Sequence, residues 1–96
     1  MSTQLRIHQM KDGRLDEFLV HWRTQIAPLL EQFGFRIDGA WTVLESNQFA
    51  YLLSYDGPEG FDVRNQQFAS SPERAALGID PDEYLDSVDK FVLNPI

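Results

Sequence analysis

The strongest hydrophobic pattern in the chain is a helical stripe. Leu15, Phe18, Leu19, Trp22, Ile26, Leu29, Leu30 and Phe33 recur at steps of three and four, the spacing that keeps side chains on one face of a helix. Asp16, Arg23, Thr24, Ala27 and Glu31 fall on the opposite side. The pattern predicts one amphipathic helix over residues 14–32, with Asp12 as its N-cap and Gly34 as its terminator. Pro28 lies inside that span. An interior proline costs about 3 kcal/mol, so the helix must bend there or end early.

Alternation of period two marks the strands. Over residues 4–10, Leu5 and Ile7 point one way and Arg6, His8 and Met10 the other. Residues 35–44 set Phe35, Ile37, Gly39, Trp41 and Val43 against Arg36, Asp38, Ala40 and Thr42. After a short Glu45-Ser46-Asn47 turn, residues 48–55 form a third strand, antiparallel to the second because the link is so brief. Its two faces, Phe49, Tyr51, Leu53 and Tyr55 against Ala50, Leu52 and Ser54, are both largely apolar. A weaker helical stripe of Phe61, Arg64 or Asn65, and Phe68 comes next. Ser71-Pro72-Glu73 then has the order N-cap, proline, acidic first turn, and Asp80-Pro81-Asp82-Glu83 repeats it. Residues 87–93 close the chain as a strand with Val88, Lys90 and Val92 opposite Asp89, Phe91 and Leu93.

The order β-α-β-β-α-β predicts an α+β, ferredoxin-like fold, a four-stranded antiparallel sheet with both helical crossovers on one face. A second face left to solvent should then be polar. The runs Ala50-Tyr51-Leu52-Leu53 and Phe91-Val92-Leu93 put apolar side chains on both faces instead. With the helices used on one side, a second copy meeting the first sheet to sheet is the expected cover, a homodimer through the open face.

Size and charge narrow the function. The 96 residues make one domain, 1–96, too small to be very stable alone. Eight Lys and Arg face fifteen Asp and Glu, a net charge of −7, and the basic residues are scattered from Arg6 to Lys90. No basic stripe exists to meet phosphates, which argues against a nucleic-acid partner. The absence of cysteine removes thiol nucleophiles, dithiol redox chemistry and thiolate metal sites. The amino end, MSTQLRIHQM, lacks a signal peptide's apolar segment, and no run is long enough to span a membrane. A cytoplasmic protein without a membrane partner is the expectation.

Among chemistry-bearing residues, His8 could reach a pocket between sheet and helices and act there as a general base. Tyr51 would orient a ligand or donate a proton. Trp22 and Trp41 lie on the inward stripes of their elements, so packing and pocket lining fall to them, with Arg6 and Tyr55 beside them. His21 is expected at solvent or a dimer rim. Two histidines far apart, without HxH or HxxE spacing, define no metal site. The acids Asp80, Asp82, Glu83, Asp86 and Asp89 do not follow the order of an EF-hand loop and read as helix-start charge. Arg36 and Asp38 share one side of their strand and read as rim ion pairs. No cofactor is indicated.

These residues also carry a resemblance. The stretch LRIHQMKDGRLDEFLVHWRTQIAPLLEQFGFRIDGAW, with Gly13, Phe18, Trp22, Ile26, Pro28, Gly34, Phe35, Gly39 and Trp41 in place, resembles the NIPSNAP-like branch of the dimeric α/β-barrel superfamily. The later NQFAYLLSYDG and the step Phe68-Ala69-Ser70-Ser71-Pro72-Glu73 extend it over essentially the whole chain. The resemblance implies ferredoxin-like subunits paired sheet against sheet as a dimeric barrel. It also implies a cavity that binds or converts a small, largely apolar molecule. Cofactor-independent or haem-dependent oxygenation is the alternative activity that the resemblance implies, and a non-catalytic assembly or scaffold module is the second reading. His21, Asn47 and Asn65 do not match the Asn-and-His pairing of the haem-degrading members.

Overall fold

The apolar stripe folds into one rod, but the rod changes its winding to accommodate the proline. In a computed structural model describing all 96 residues, α1 (Leu15–His21) runs into a π-helical turn (Trp22–Ile26), and α2 (Ala27–Gln32) follows. The Ala27 N–H reaches back five residues to the Trp22 carbonyl. That wider turn directly precedes Pro28, which has no N–H to give and whose ring would clash with a carbonyl four residues back. Neither a sharp stop nor an early end is needed. Asp12 does not cap α1: Arg14 holds the N-cap position without a side-chain hydrogen bond. Gly34, at φ +91°, ends α2 as its position suggested.

The strands are β1 (Ser2–Met10), β2 (Arg36–Val43), β3 (Gln48–Tyr55) and β4 (Leu85–Leu93). They form one antiparallel sheet in the order β2-β3-β1-β4, the ferredoxin-like arrangement. Between β3 and β4 lie α3 (Phe61–Ala69) and the short α4 (Pro72–Ala76). Ser71 caps α4, its hydroxyl accepting from the Arg74 N–H at 3.0 Å. Asp80 does the same for the turn Pro81–Glu83, accepting from the Asp82 N–H at 3.0 Å. No helix is long and apolar enough to cross a membrane.

The barrel implied by the resemblance does not form. The sheet is open, with β2 bonded only to β3 and β4 only to β1, and a barrel requires every strand to be paired on both sides.

The strand faces follow expectation on β1 and depart from it on β2. On β1 the polar set Gln4, Arg6 and His8, with Met10, turns towards the helices, each at most 9% exposed. The apolar Leu5 and Ile7 look out of the open face and are only partly covered. On β2 the pairing slips, Ile37 opposing Leu53 and Gly39 opposing Leu52. Asp38 is the extra residue of a bulge, so Ile37 stays on the helix side while Gly39, Trp41 and Val43 pass to the other. Strict alternation had placed all four on one face. The helix-side residues make one core, in which Phe18, Leu30, Phe49, Met10 and Leu53 are almost wholly buried.

Candidate functional site

Beneath α1 and the π-turn, the covered face of the sheet does not pack solid. A cavity of about 180 Å³ remains, with Arg6, His8, Trp22, Tyr51, Arg74 and Lys90 on its wall. Strand register explains the grouping: Arg6 pairs with Tyr51 on one side and Lys90 on the other, and His8 pairs with Phe49 and Val88. Directly opposed residues share a face with their side chains close together. The π-turn brings Trp22 down onto the same place, its ring 5.1 Å from Tyr51 and 4.9 Å from Phe49. His8 completes the aromatic wall, 5.4 Å from Tyr51 and 5.8 Å from Phe18.

Several polar groups here lack partners. His8 Nδ1 and Trp22 Nε1 are buried and make no hydrogen bond, as is true of His21 Nδ1 away from the cavity, although buried polar atoms are nearly always paired. Arg6 is 8% exposed and is held only by neutral acceptors. Its Nη2 donates to Asn65 Oδ1 at 3.0 Å, Nε and Nη2 lie 3.4 Å from Gln4 Oε1, and the guanidinium sits 5.6 Å from the Phe61 ring. Arg74 donates to the Ile79 carbonyl at 3.1 Å. None of Arg6, Arg74 and Lys90 meets a carboxylate; the ion pairs of the molecule lie elsewhere, at Met1–Asp56, Arg14–Glu17 and Arg36–Asp38. A wider groove of about 670 Å³ shares Arg6, Phe68, Arg74, Pro81 and Lys90 with the cavity. Its one acid, Asp80, is already engaged in capping. Three of the eight strong cations of an acidic chain thus converge on one hollow.

The electrostatics follow. Burial, then the neighbouring Arg6 and Lys90 charges, lower the His8 pKa to about 4, so the imidazole is neutral at pH 7. Burial and Arg6 also lower the Lys90 pKa. An imidazole so depressed is a weak base until an anion offsets the cations.

Other candidates lie elsewhere. Trp41 is on the open face, 53% exposed, its indole lying over Gly39 where a Cβ would come within 2.5 Å of it. Tyr55 packs at the far end of the covered face, 5.0 Å from Phe35. His21 is partly buried, 5.6 Å from Tyr84, because the loop before β4 folds over it. Arg74, Lys90 and Asn65 were missed as site residues; the β1–β4 register would have shown Lys90, whereas α4 leaves no periodic trace from which to place Arg74.

The open face is a second surface. Phe91, Leu5 and Leu52 align across β4, β1 and β3, and Ile7, Ala50 and Trp41 align across β1, β3 and β2. Phe91 is 49% and Leu93 40% exposed. At one end the patch becomes polar: Thr3 bonds Ser54 at 2.8 Å, Ser54 donates to Asp38, and Arg36 donates to Asp38 at 2.5 Å. Arg36, then Ser54, holds the Asp38 carboxyl below the usual carboxylate range.

Fold and site together define a ferredoxin-like α+β protein with an aromatic, cation-rimmed hollow beneath its helices. The NIPSNAP family model matches residues 3–96, and the chain belongs to that family. No curated protein matches it. Among solved structures it is similar to an uncharacterised NIPSNAP domain protein from Burkholderia xenovorans, at 22% identity and TM-score 0.83, covering 100% of this chain and 95% of that one. A NIPSNAP family protein from Agrobacterium tumefaciens is similar at 15% identity and TM-score 0.85, covering 99% and 92%. A further B. xenovorans protein with a NIPSNAP-like domain has 18% identity and TM-score 0.83, covering 99% and 84%. At these identities the likeness speaks for the fold alone.

Proposed function

We propose that this NIPSNAP-family protein binds a small molecule with an apolar body in the cavity between sheet and helices, and that two copies meet through the open face of the sheet. The observation that carries the first part is the cavity itself, walled by His8, Phe18, Trp22 and Tyr51 together with the buried Arg6, which no carboxylate neutralises. A hollow lined by aromatic rings beside a buried, unneutralised charge is costly to keep empty. A ligand fills the hollow and meets the charge. His8 and Tyr51 stand where they would handle a proton of that ligand, and Trp22 and Arg6 where they would hold it. The second part rests on the exposed Trp41, Phe91 and Leu93, since an apolar patch of this kind marks an interaction surface. The sheets need not close into a barrel for this contact.

Calorimetric titration with indole, a neutral aromatic probe, tests the cavity. Binding is expected in the natural protein and lost in Val88→Trp, which fills the cavity mouth from a half-exposed strand position and leaves the core intact. Equal binding by the variant would place the probe elsewhere and remove the reading. Sedimentation that finds only monomer at micromolar concentration would remove the dimer.

A further inference from the structure

We infer that the cavity is selective for an anion, specifically a small aromatic monocarboxylate. Its carboxylate would lie on Arg6 and Lys90 and its ring against Trp22 and Tyr51. The inference rests on the cavity being a binding site and adds the chemical class of what enters it.

Charge carries the argument. A buried guanidinium without a counter-ion is costly, and folded proteins pair such groups or avoid them. Here Arg6 is oriented by two side-chain amides and a ring face, none of which neutralises it. Its Nη1 makes no hydrogen bond. Lys90 stands directly across the β1–β4 ladder from it, a like-charged pair that an intervening anion would turn from repulsive to attractive. Arg74 adds a third positive charge where cavity and groove meet. The cavity wall carries no acid, and the Tyr51 hydroxyl can donate to a bound oxygen. A carboxylate is an acceptor only, with two oxygens, and complements this set; a cation or a second donor does not.

Size and walls supply the rest. A cavity of roughly 150 Å³ can hold a benzene ring, and this one measures about 180 Å³. Its walls are aromatic, so a flat ring packs by edge and face contacts. The net charge of −7 does not oppose entry at physiological salt, where exposed charges are screened beyond about 8 Å.

Titrating benzoate against benzamide, its neutral isostere, tests the inference. Benzoate is expected to bind at least about tenfold more tightly, the contribution of a charge-assisted hydrogen bond. That preference should vanish in Arg6→Met and fall by about threefold in Lys90→Gln, a substitution on an exposed edge strand that keeps the test sound if the first variant folds poorly. Added salt should weaken benzoate and leave benzamide unchanged. If both probes bind equally and Val88→Trp excludes both, the cavity stands and its anion selectivity is refuted. If neither binds at millimolar concentration, the cavity reading falls with it.

Discussion

Along β1 the two faces of the sheet invert the usual arrangement, whereas β3 keeps it. A sheet with helices on one side ordinarily turns its apolar residues towards them and its polar ones to water. Here β1 turns Gln4, Arg6 and His8 under the helices and leaves Leu5 and Ile7 outside. The covered face stays a viable core because the helices and β3 bring Phe18, Trp22, Phe49 and Leu53 to meet the polar strand. Polar groups inside and apolar groups outside are each unfavourable for an isolated fold. Each makes sense when something else completes it, a ligand in the first case and a partner in the second.

The largest expected effect lies where the covered face behaves as ordinary core. Phe18→Ala should cost about 3–5 kcal/mol by removing a fully buried ring and leaving a hole. Trp41→Ala on the open face should change monomer stability by less than about 1 kcal/mol while weakening self-association. Urea unfolding and sedimentation read the two quantities separately. Equal stability losses in the two variants would erase the distinction between the faces.

Next is pH. His8 faces Arg6 on its own strand, Lys90 on β4, Tyr51 on β3 and Arg74 on α4. Its pKa is near 6.5 in the unfolded chain and about 4 in the folded one. Between those values the unfolded chain binds the extra proton, so stability is full above pH 6.5 and declines as the pH falls towards 4. The loss should reach about 3 kcal/mol. Asp38, also depressed, acts only below the ordinary carboxylate range. Urea midpoints at pH 7 and 4.5 should therefore differ in the natural protein and much less in His8→Leu. A flat profile in the natural protein would mean that the imidazole charges in place.

A smaller effect separates function from packing on the covered face itself. Arg6→Met keeps the length of the side chain and removes its unneutralised charge, so stability should stay within about 1 kcal/mol of the natural protein. A loss as large as that of Phe18→Ala would make Arg6 a structural residue.

Much of the fold was legible because local signals agreed. The Gln48–Tyr55 strand is bounded by a turn and a glycine-proline step, and its ends coincide with the observed ones. The Ser71 cap and Pro72 mark α4 where it lies. The stripe over α1 and α2 survives the π-turn because one wider turn shifts the phase without dispersing the face. The illegible parts depend on tertiary pairing. The Asp38 bulge reverses the faces of β2 beyond it and sends Trp41 out, and nothing in the alternation marks it. Which face of β1 is covered is decided by its neighbours; alternation separates the two sets without choosing between them, and the covered one is the Arg6, His8 and Met10 set expected to reach a pocket. The cation cluster is assembled from β1, β4 and α4, distant in sequence and joined only by register.

The central claim is that the covered face, at its polar β1 patch, receives a ligand and the open face, at its apolar patch, receives a partner. Mapping amide and indole NMR shifts on the intact protein while titrating benzoate tests it most directly. The account predicts that the perturbed signals gather at His8, Trp22, Tyr51 and Lys90 while Leu5, Leu52 and Phe91 stay still. Shifts gathered on those open-face residues, with the cavity signals unmoved, would contradict it.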